Sequence, residues 1–391
     1  MENTSRGAII DQLIRHGALS RSEIARRTGL SRSVITLSTL ELLRQGVIQK
    51  TGTGASTGGR RPTTFRLGGG NHLVVGVSFE DEHLHTVLYT LDGHKIDGTT
   101  ISAAMRQPAE TTINQVATQI GILRQQHPGT PFLGCGMAMA SIVDAETDRV
   151  TSATHGWPPT PARQMLETAT GLPCNFLDNA HAAALGELWS GGREVRENLV
   201  YLYIGRGIGG AIILDRQLYL GRNHAAGEFG PWMIGGETED GPFMGRFEHL
   251  ALPEHLIPWM HSVRNRYPPS ILSPETAPDH FLPELASAIT RGDPLARAVR
   301  RRLEMLTATV CANIVNSLNP DEIIIGGQIT VMGPDFAEAV HARMSEWSLP
   351  LPMGSVRVHL ANSRQETIPL GAAVTIIQRT AELLTATPAP E

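Results

Sequence analysis

The chain is expected to fold as an α/β protein in two parts: a small, basic, mostly helical head and a large body in two lobes. Three observations carry this expectation. The 391 residues, 41% apolar and 18% charged, suit two or three globular domains with sizeable cores. Residues 1–68 hold eleven Lys/Arg against four acids, a net of +7, whereas the remainder, with 22 basic and 34 acidic residues, stands at −12. From Leu73 onward, apolar strand-like runs alternate with helical stretches. The charge split assigns a polyanionic partner to the head alone.

The head is read first. Ile9, Ile10, Leu13 and Ile14 recur at helical spacing before a stop at His16-Gly17. Ser20 with Glu23 three residues on makes a capping box for a second helix, and Thr28-Gly29-Leu30 a tight turn. Ser31 caps a third helix carrying Val34, Ile35, Leu37, Leu40, Leu42 and Leu43. Helix, Gly-containing turn and a helix with a polar first turn match how a recognition helix is presented to the major groove. Ser31, Arg32, Ser33 and Thr36 are therefore candidates for contacts to bases or phosphates. Val47–Lys50 and Thr63–Leu67 read as two strands joined by TGTGASTGGRRP, a wing whose Arg60 and Arg61 suit a narrow, electronegative minor groove. Double-stranded DNA is the expected partner, and residues 1–70 the winged helix-turn-helix domain.

In the body, residues 71–391, LVVGVSF, HTVLYTL, FLGCGMAMA, NLVYLYIG, GAIILD and EIIIGG read as strands. Helical patterns cover QVATQIGILRQQ, ARQMLETAT, HAAALGELWS and Asp293 to Asn319. No short fixed period is present, which argues against repeats. Gly205–Gly210 formally matches G-x-G-x-x-G, but a strand rather than a helix follows it, so a hairpin is expected in place of a dinucleotide site. Cys135, Cys174 and Cys311 stand far apart, excluding a disulfide framework or Cys-based zinc module and suiting a reducing, cytoplasmic setting. No signal peptide and no run of 18 apolar residues is evident, so neither export nor a membrane partner is expected.

Five blocks in order carry a resemblance along the whole chain: GGRRP behind the winged helix, LGCGMAMASIVDAETDRVTSATHGW, LDNAHAAALGE, NLVYLYIGRGIGGAIILDRQLYLGRNHAAGEFG and DEIIIGG. Together they resemble the ROK family of repressors and sugar kinases, and in particular its sugar-responsive repressors of the xylose and N-acetylglucosamine type. The resemblance implies an actin/hexokinase-like body, with lobe one at about 71–185 plus the C-terminal helix and lobe two at about 186–372.

The same alignment exposes departures. Kinases of the family open their body with a D-x-G-x-T-like phosphate hairpin, whereas here Glu80, Asp81 and Glu82 fall at that place and would repel phosphate. Aligned on Ala-Ala-Leu-Gly-Glu187, Asn179 takes the place of the base that removes the sugar proton, which an amide cannot do. A register one residue earlier would return Asp178 there. Arg206 replaces a small residue of the phosphate loop. The places of the family's four structural zinc ligands read Pro231, Glu239, Gly241 and Arg246, so no metal is expected; Trp232, Met233 and Phe243 are expected to hold the loop by apolar packing instead. No cofactor and no catalytic residue is assigned.

Residues corresponding to the sugar pocket remain: Glu228, Glu248, His155, Asp178 and Asn179, carboxylates, amide and imidazole suited to vicinal hydroxyls. The favoured reading is a DNA-binding regulator, a homodimer or homotetramer, repressing carbohydrate-utilisation genes under control of a sugar and without kinase activity. A bifunctional sugar kinase and a regulator with no small effector are the alternatives.

Overall fold

The computed structural model describes residues 2–53, 62–68, 70–190, 197–238, 241–273, 275–362 and 366–386. The head comprises α1 (Glu2–His16), β1 (Leu19–Ser20), α2 (Arg21–Thr28), α3 (Arg32–Arg44), β2 (Ile48–Thr53) and β3 (Thr63–Leu67). The body opens with β4 (Leu73–Glu80), β5 (His83–Thr90), β6 (Lys95–Ser102), α4 (Ala109–Gln126) and β7 (Phe132–Met139). Three short strands follow, β8 (Ile142–Val143), β9 (Val150–Ser152) and β10 (Trp157–Thr160), then α5 (Ala162–Thr170), β11 (Cys174–Leu177) and α6 (Asn179–Ser190). The next stretch holds β12 (Leu199–Ile204), β13 (Ile208–Leu214), β14 (Gln217–Tyr219), β15 (Met233–Thr238) and β16 (Gly241–Arg246). Helices α7 (Glu248–Ala251), α8 (Pro253–Val263), α9 (Pro278–Thr290) and α10 (Pro294–Leu318) precede β17 (Glu322–Gly326). The chain ends with α11 (Pro334–Met344), α12 (Pro350–Met353), β18 (Arg357–Leu360), α13 (Thr367–Gln378) and α14 (Thr380–Ala386).

Local signals set the head. Ser20 Oγ accepts from the Glu23 N–H while Glu23 Oε2 accepts from the Ser20 N–H at 2.7 Å, closing the capping box of α2. Gly29 ends that helix at φ 69°, a left-handed cap that favours glycine. Ser31 Oγ accepts from the Val34 N–H and starts α3. Ile9, Ile10, Leu13, Ile24, Ile35, Leu42 and Phe65 close a small core, and β3 pairs with both β1 and β2.

The chain divides into two compact units, residues 1–195 with 365–391, and residues 196–364. The crossings fall later than 185/186 and earlier than 372/373, because α6 and α13 pack face to face in the first unit. Glycines permit that approach. A Cβ added at Gly371 or Gly186 would collide with the backbone of the opposite helix, and one at Gly76 or Gly136 with the α13 backbone. The head belongs to the same unit: α1 lies on α14, and Arg66 of β3 stands 3.6 Å from Asp92.

The first unit's main sheet has the order β11-β7-β4-β5-β6, with β4, β7 and β11 parallel and the other pairs antiparallel. Val75, Val77 and Phe79 alternate onto the face that packs Ile113, Val116 and Ile120 of α4, while α13 covers the other. In the second unit the order β14-β13-β12-β17-β18 repeats the plan, three antiparallel strands extended by two parallel ones. This corrects the expectation of no repeats: the duplication is one of topology, spread over entire lobes, and leaves no short sequence period. Its core is built on α10, capped by Asp293 and ended by Asn319 at φ 45°. Gly205–Gly210 lies in the β12–β13 hairpin, as its flanking strands required. The three cysteines are free and buried.

Candidate functional site

On the head, Ser31, Arg32, Ser33 and Thr36 are all exposed at the start of α3. Ser31 and Ser33 hydroxyls lie 3.0 Å apart, and the Thr36 hydroxyl donates to the Arg32 carbonyl at 2.8 Å. Arg60 and Arg61 lie outside the described residues. Leu37 and Leu40, read from sequence as apolar helical positions, are 69% and 53% exposed. At 100° per residue they project opposite Ile35 and Leu42, a direction the helical wheel holds in advance.

In the first unit, His155 and Asn179 meet at Phe79, a residue that sequence reasoning did not single out. The His155 ring packs on the Phe79 ring at 4.2 Å between centroids, and Asn179 Nδ2 donates to the Phe79 carbonyl at 3.3 Å. Asn179 Oδ1 is buried with no donor in reach, so an unused acceptor faces this spot. His155 Nδ1 stands 3.0 Å from the Met105 carbonyl, which can only accept; Nδ1 therefore carries the proton and Nε2 the lone pair of the neutral ring. Burial lowers the His155 pKa and favours that neutral form, although the Met105 carbonyl opposes it.

Asp178 is occupied differently. Its Oδ1 accepts from the Ala180 N–H at 2.7 Å and its Oδ2 from the Ser141 N–H at 3.3 Å, so the carboxyl caps α6 and ties it to the end of β7. Burial raises its pKa, opposed by His181 and the backbone donors. Asn179 is the first residue of α6.

The tip of the β4–β5 hairpin also lies in this unit. Glu80 pairs with His83 in register, leaving a turn of only Asp81 and Glu82, both at positive φ (44° and 62°). Burial, with Asp81 adding to it, pushes the Glu80 pKa up to about 7.

In the second unit, Glu228 is exposed on a loop whose position is set by its neighbours. Phe229 is fully buried against Gly210, where a side chain would overlap its ring, and meets Trp232 edge-on at 5.1 Å. The Glu248 N–H donates to the Gly230 carbonyl at 3.0 Å, bringing the head of α7 to the same loop. Its carboxylate lies 3.6 Å from Arg246 and 3.9 Å from His249. Arg206 is ion-paired to Asp279 at 3.3 Å.

The residues at the family's zinc positions do not fit the metal. Pro231 and Gly241 bring no donor side chain, and Arg246 is a cation beside Glu248. Glu239 lies outside the described residues. Phe243 is buried there under the Arg302 guanidinium, but Met233 is 65% exposed and does not join the packing, since alternation along β15 turns it outward from Ile234. Among the described residues no group of three His, Cys, Asp or Glu could hold a metal ion, and no helix is long and apolar enough to cross a membrane.

A winged helix-turn-helix joined to a duplicated α/β body of this topology defines a class that contains both regulators and sugar kinases. The profile of the ROK family matches residues 74–379, and that of a winged helix-turn-helix DNA-binding domain matches residues 2–49. The chain belongs to the ROK family. It is 24% identical over 379 residues to the xylose repressor of Caldicellulosiruptor bescii, covering 94% of each chain. It is also 24% identical over 331 residues to the DNA-binding transcriptional dual regulator NagC of Escherichia coli K12, covering 82% of this chain and 79% of that one. The glucokinase of Thermotoga maritima is 24% identical over 318 residues, 78% of this chain and 98% of the enzyme. Among solved structures, a ROK family transcriptional regulator described as a homolog of the E. coli MLC protein superposes with TM-score 0.79 at 22% identity, covering 98% of both chains. A ROK glucokinase from Streptomyces griseus, solved with glucose and AMPPNP, gives TM-score 0.61 at 20% identity over 78% of this chain and 98% of its own.

Proposed function

We propose that the chain is a transcriptional repressor whose affinity for operator DNA is set by a sugar or sugar derivative, and that it transfers no phosphoryl group. The observation that carries this reading is the pairing of a helix-turn-helix head with a body whose hairpin at the family's phosphate position turns through Glu80, Asp81 and Glu82, carboxylates that would repel phosphate. Likeness over 94% of both chains to a xylose repressor, and over 82% of this chain to the regulator NagC, supports the first half. The second half is favoured by Asn179 at the base position and by Asp178 spending both oxygens on backbone N–H groups.

His155, Asp178, Asn179, Glu228 and Glu248 are the residues we assign to the effector. The unpaired Asn179 Oδ1 and the His155 Nε2 lone pair accept from hydroxyls, and the two glutamates bind vicinal hydroxyls. Arg60 and Arg61 would enter the minor groove. One recognition helix reads few bases, so the working species is taken as a homodimer or homotetramer on an inverted repeat, acting in the cytoplasm.

The test is operator binding by the purified full-length protein across a sugar panel, with ATP turnover followed in parallel. One sugar is expected to shift operator affinity. Glu228→Gln should leave unliganded DNA binding intact and move the dose-response about 10- to 150-fold higher, the loss of one charged hydrogen bond of roughly 1.5–3 kcal/mol. Sugar-dependent ATP turnover would refute the non-kinase reading; an unmoved dose-response would remove Glu228 from the site.

A further inference from the structure

We propose that Leu37 reads the C5-methyl group of thymine in the major groove, with Leu40 flanking it one turn on. The inference rests on the head being DNA-binding, and it names what α3 recognises.

The buried side of α3 is formed by Ile35, Ser38, Thr39 and Leu42. The opposite side carries Ser33, Leu37 and Leu40, with Leu37 at 69% and Leu40 at 53% exposure. An amphipathic surface helix keeps its outer face polar, so two leucines one turn apart there mark a surface that something covers. The charges around them choose the occupant. Arg26, Arg27 and Arg32 are exposed on α2 and α3, and the acids of these helices are already engaged: Glu23 in its capping box and Glu41 with Arg44 and Gln45. An apolar centre with a basic rim complements a duplex groove, whose edges are phosphates and whose floor bears one apolar group, the thymine methyl. A second copy of the head would instead bring like charges together. The polar groups beside Leu37 are weak readers, since the Thr36 hydroxyl donates to its own helix and Ser33 lies against Ser31. Apolar contact is left as the main source of discrimination along the middle of α3.

Duplexes are selected from a randomised library with the full-length protein, and each thymine of the selected sequence is replaced singly by deoxyuridine, which removes the methyl and nothing else. One or two positions per half-site are expected to lose about fourfold in affinity, the effect of one buried methyl at about 0.8 kcal/mol. The Leu37→Ala protein should bind thymine and uridine equally at one of them, with an unchanged salt slope, because Leu37 touches no phosphate. Equal binding of every uridine duplex by the unsubstituted protein overturns the proposal. So does full thymine preference retained by Leu37→Ala. Loss of self-association in Leu37→Ala with thymine preference intact assigns the face to a second copy and also overturns it. If the library yields no enriched duplex, the DNA-binding reading itself falls.

Discussion

Replacing Gly371 by alanine tests the packing on which the first unit rests. The added carbon would stand 2.5 Å from the Ala182 carbonyl carbon and 2.9 Å from the Gly186 nitrogen, where real Cβ atoms are essentially never found closer than 3.0 Å. Both neighbours are backbone, so no flexible side chain can give way, and α6 and α13 must part. Overpacking of a core by one carbon costs about 1–3 kcal/mol, and a clash with fixed backbone belongs at or above the top of that range. For a unit of roughly 200 residues, about 3 kcal/mol lowers the midpoint of thermal unfolding by roughly 6–12 °C. Gly121→Ala is the control: this glycine lies in α4 with no atom within 4 Å of a built Cβ, so alanine should stabilise by up to about 1 kcal/mol. Scanning calorimetry of both variants beside the unsubstituted protein is the assay. Shifts of equal sign, or a Gly371→Ala protein as stable as its parent, would refute the close approach of the two helices.

Two further outcomes follow from local chemistry. Glu80 has its pKa raised from 4.5 to about 7 in the folded chain, so the native state binds the extra proton between those values and stability falls as pH rises through that window. At about 1.4 kcal/mol per pH unit the loss reaches roughly 3 kcal/mol above pH 7; denaturant titrations of Glu80→Gln should recover it and flatten the slope, and an unchanged pH profile would count against the buried carboxyl. Ser20→Ala opens the capping box of α2 and should cost about 1 kcal/mol, read as faster amide exchange in α2; unaltered exchange would mean that the cap contributes nothing.

Wherever structure follows from neighbours in sequence, it was legible. The caps at Ser20 and Ser31, the turn at Gly29, the helix between Asp293 and Asn319, and the β12–β13 hairpin all stood in the residues themselves. Strands made by their place in the sheet were not. Lys95–Ser102 forms an edge strand with no buried face, and Gln217–Tyr219 is three residues long. TIPLGAAVTIIQ is apolar all round and β-branched, and is helical because α6 and the strands β4 and β7 enclose it. The site divides in the same way. The residues we assign to a sugar come from the resemblance of the blocks around Asn179 and Glu228. That Phe79 joins Asn179 to His155, or that Asp178 is a helix cap, depends on contacts between residues 100 positions apart or between adjacent elements.

The head is not a pendant on a linker, and this bears on how a ligand in the body acts on DNA. Helix α6 carries Asn179 at one end; near the other, Trp189 Nε1 donates to the Asp92 carbonyl at 3.1 Å. The Asp92 carboxylate faces Arg66 in β3. Along its length α6 is locked to α13, which leads into α14, the helix on which α1 of the head lies. Two routes therefore run from Asn179 to the head, one through the side chains of Trp189, Asp92 and Arg66 and one through the backbone-to-backbone contacts of α6 with α13, which cannot yield gradually. A ligand changes DNA affinity only by favouring one arrangement over another. A displacement of α6 large enough to serve a new partner at Asn179 has to be taken up at α13 and at the Asp92 turn together. The first unit thus joins Asn179 and the DNA-binding head in one packed body, with the glycines at 76, 136, 186 and 371 as its tight points.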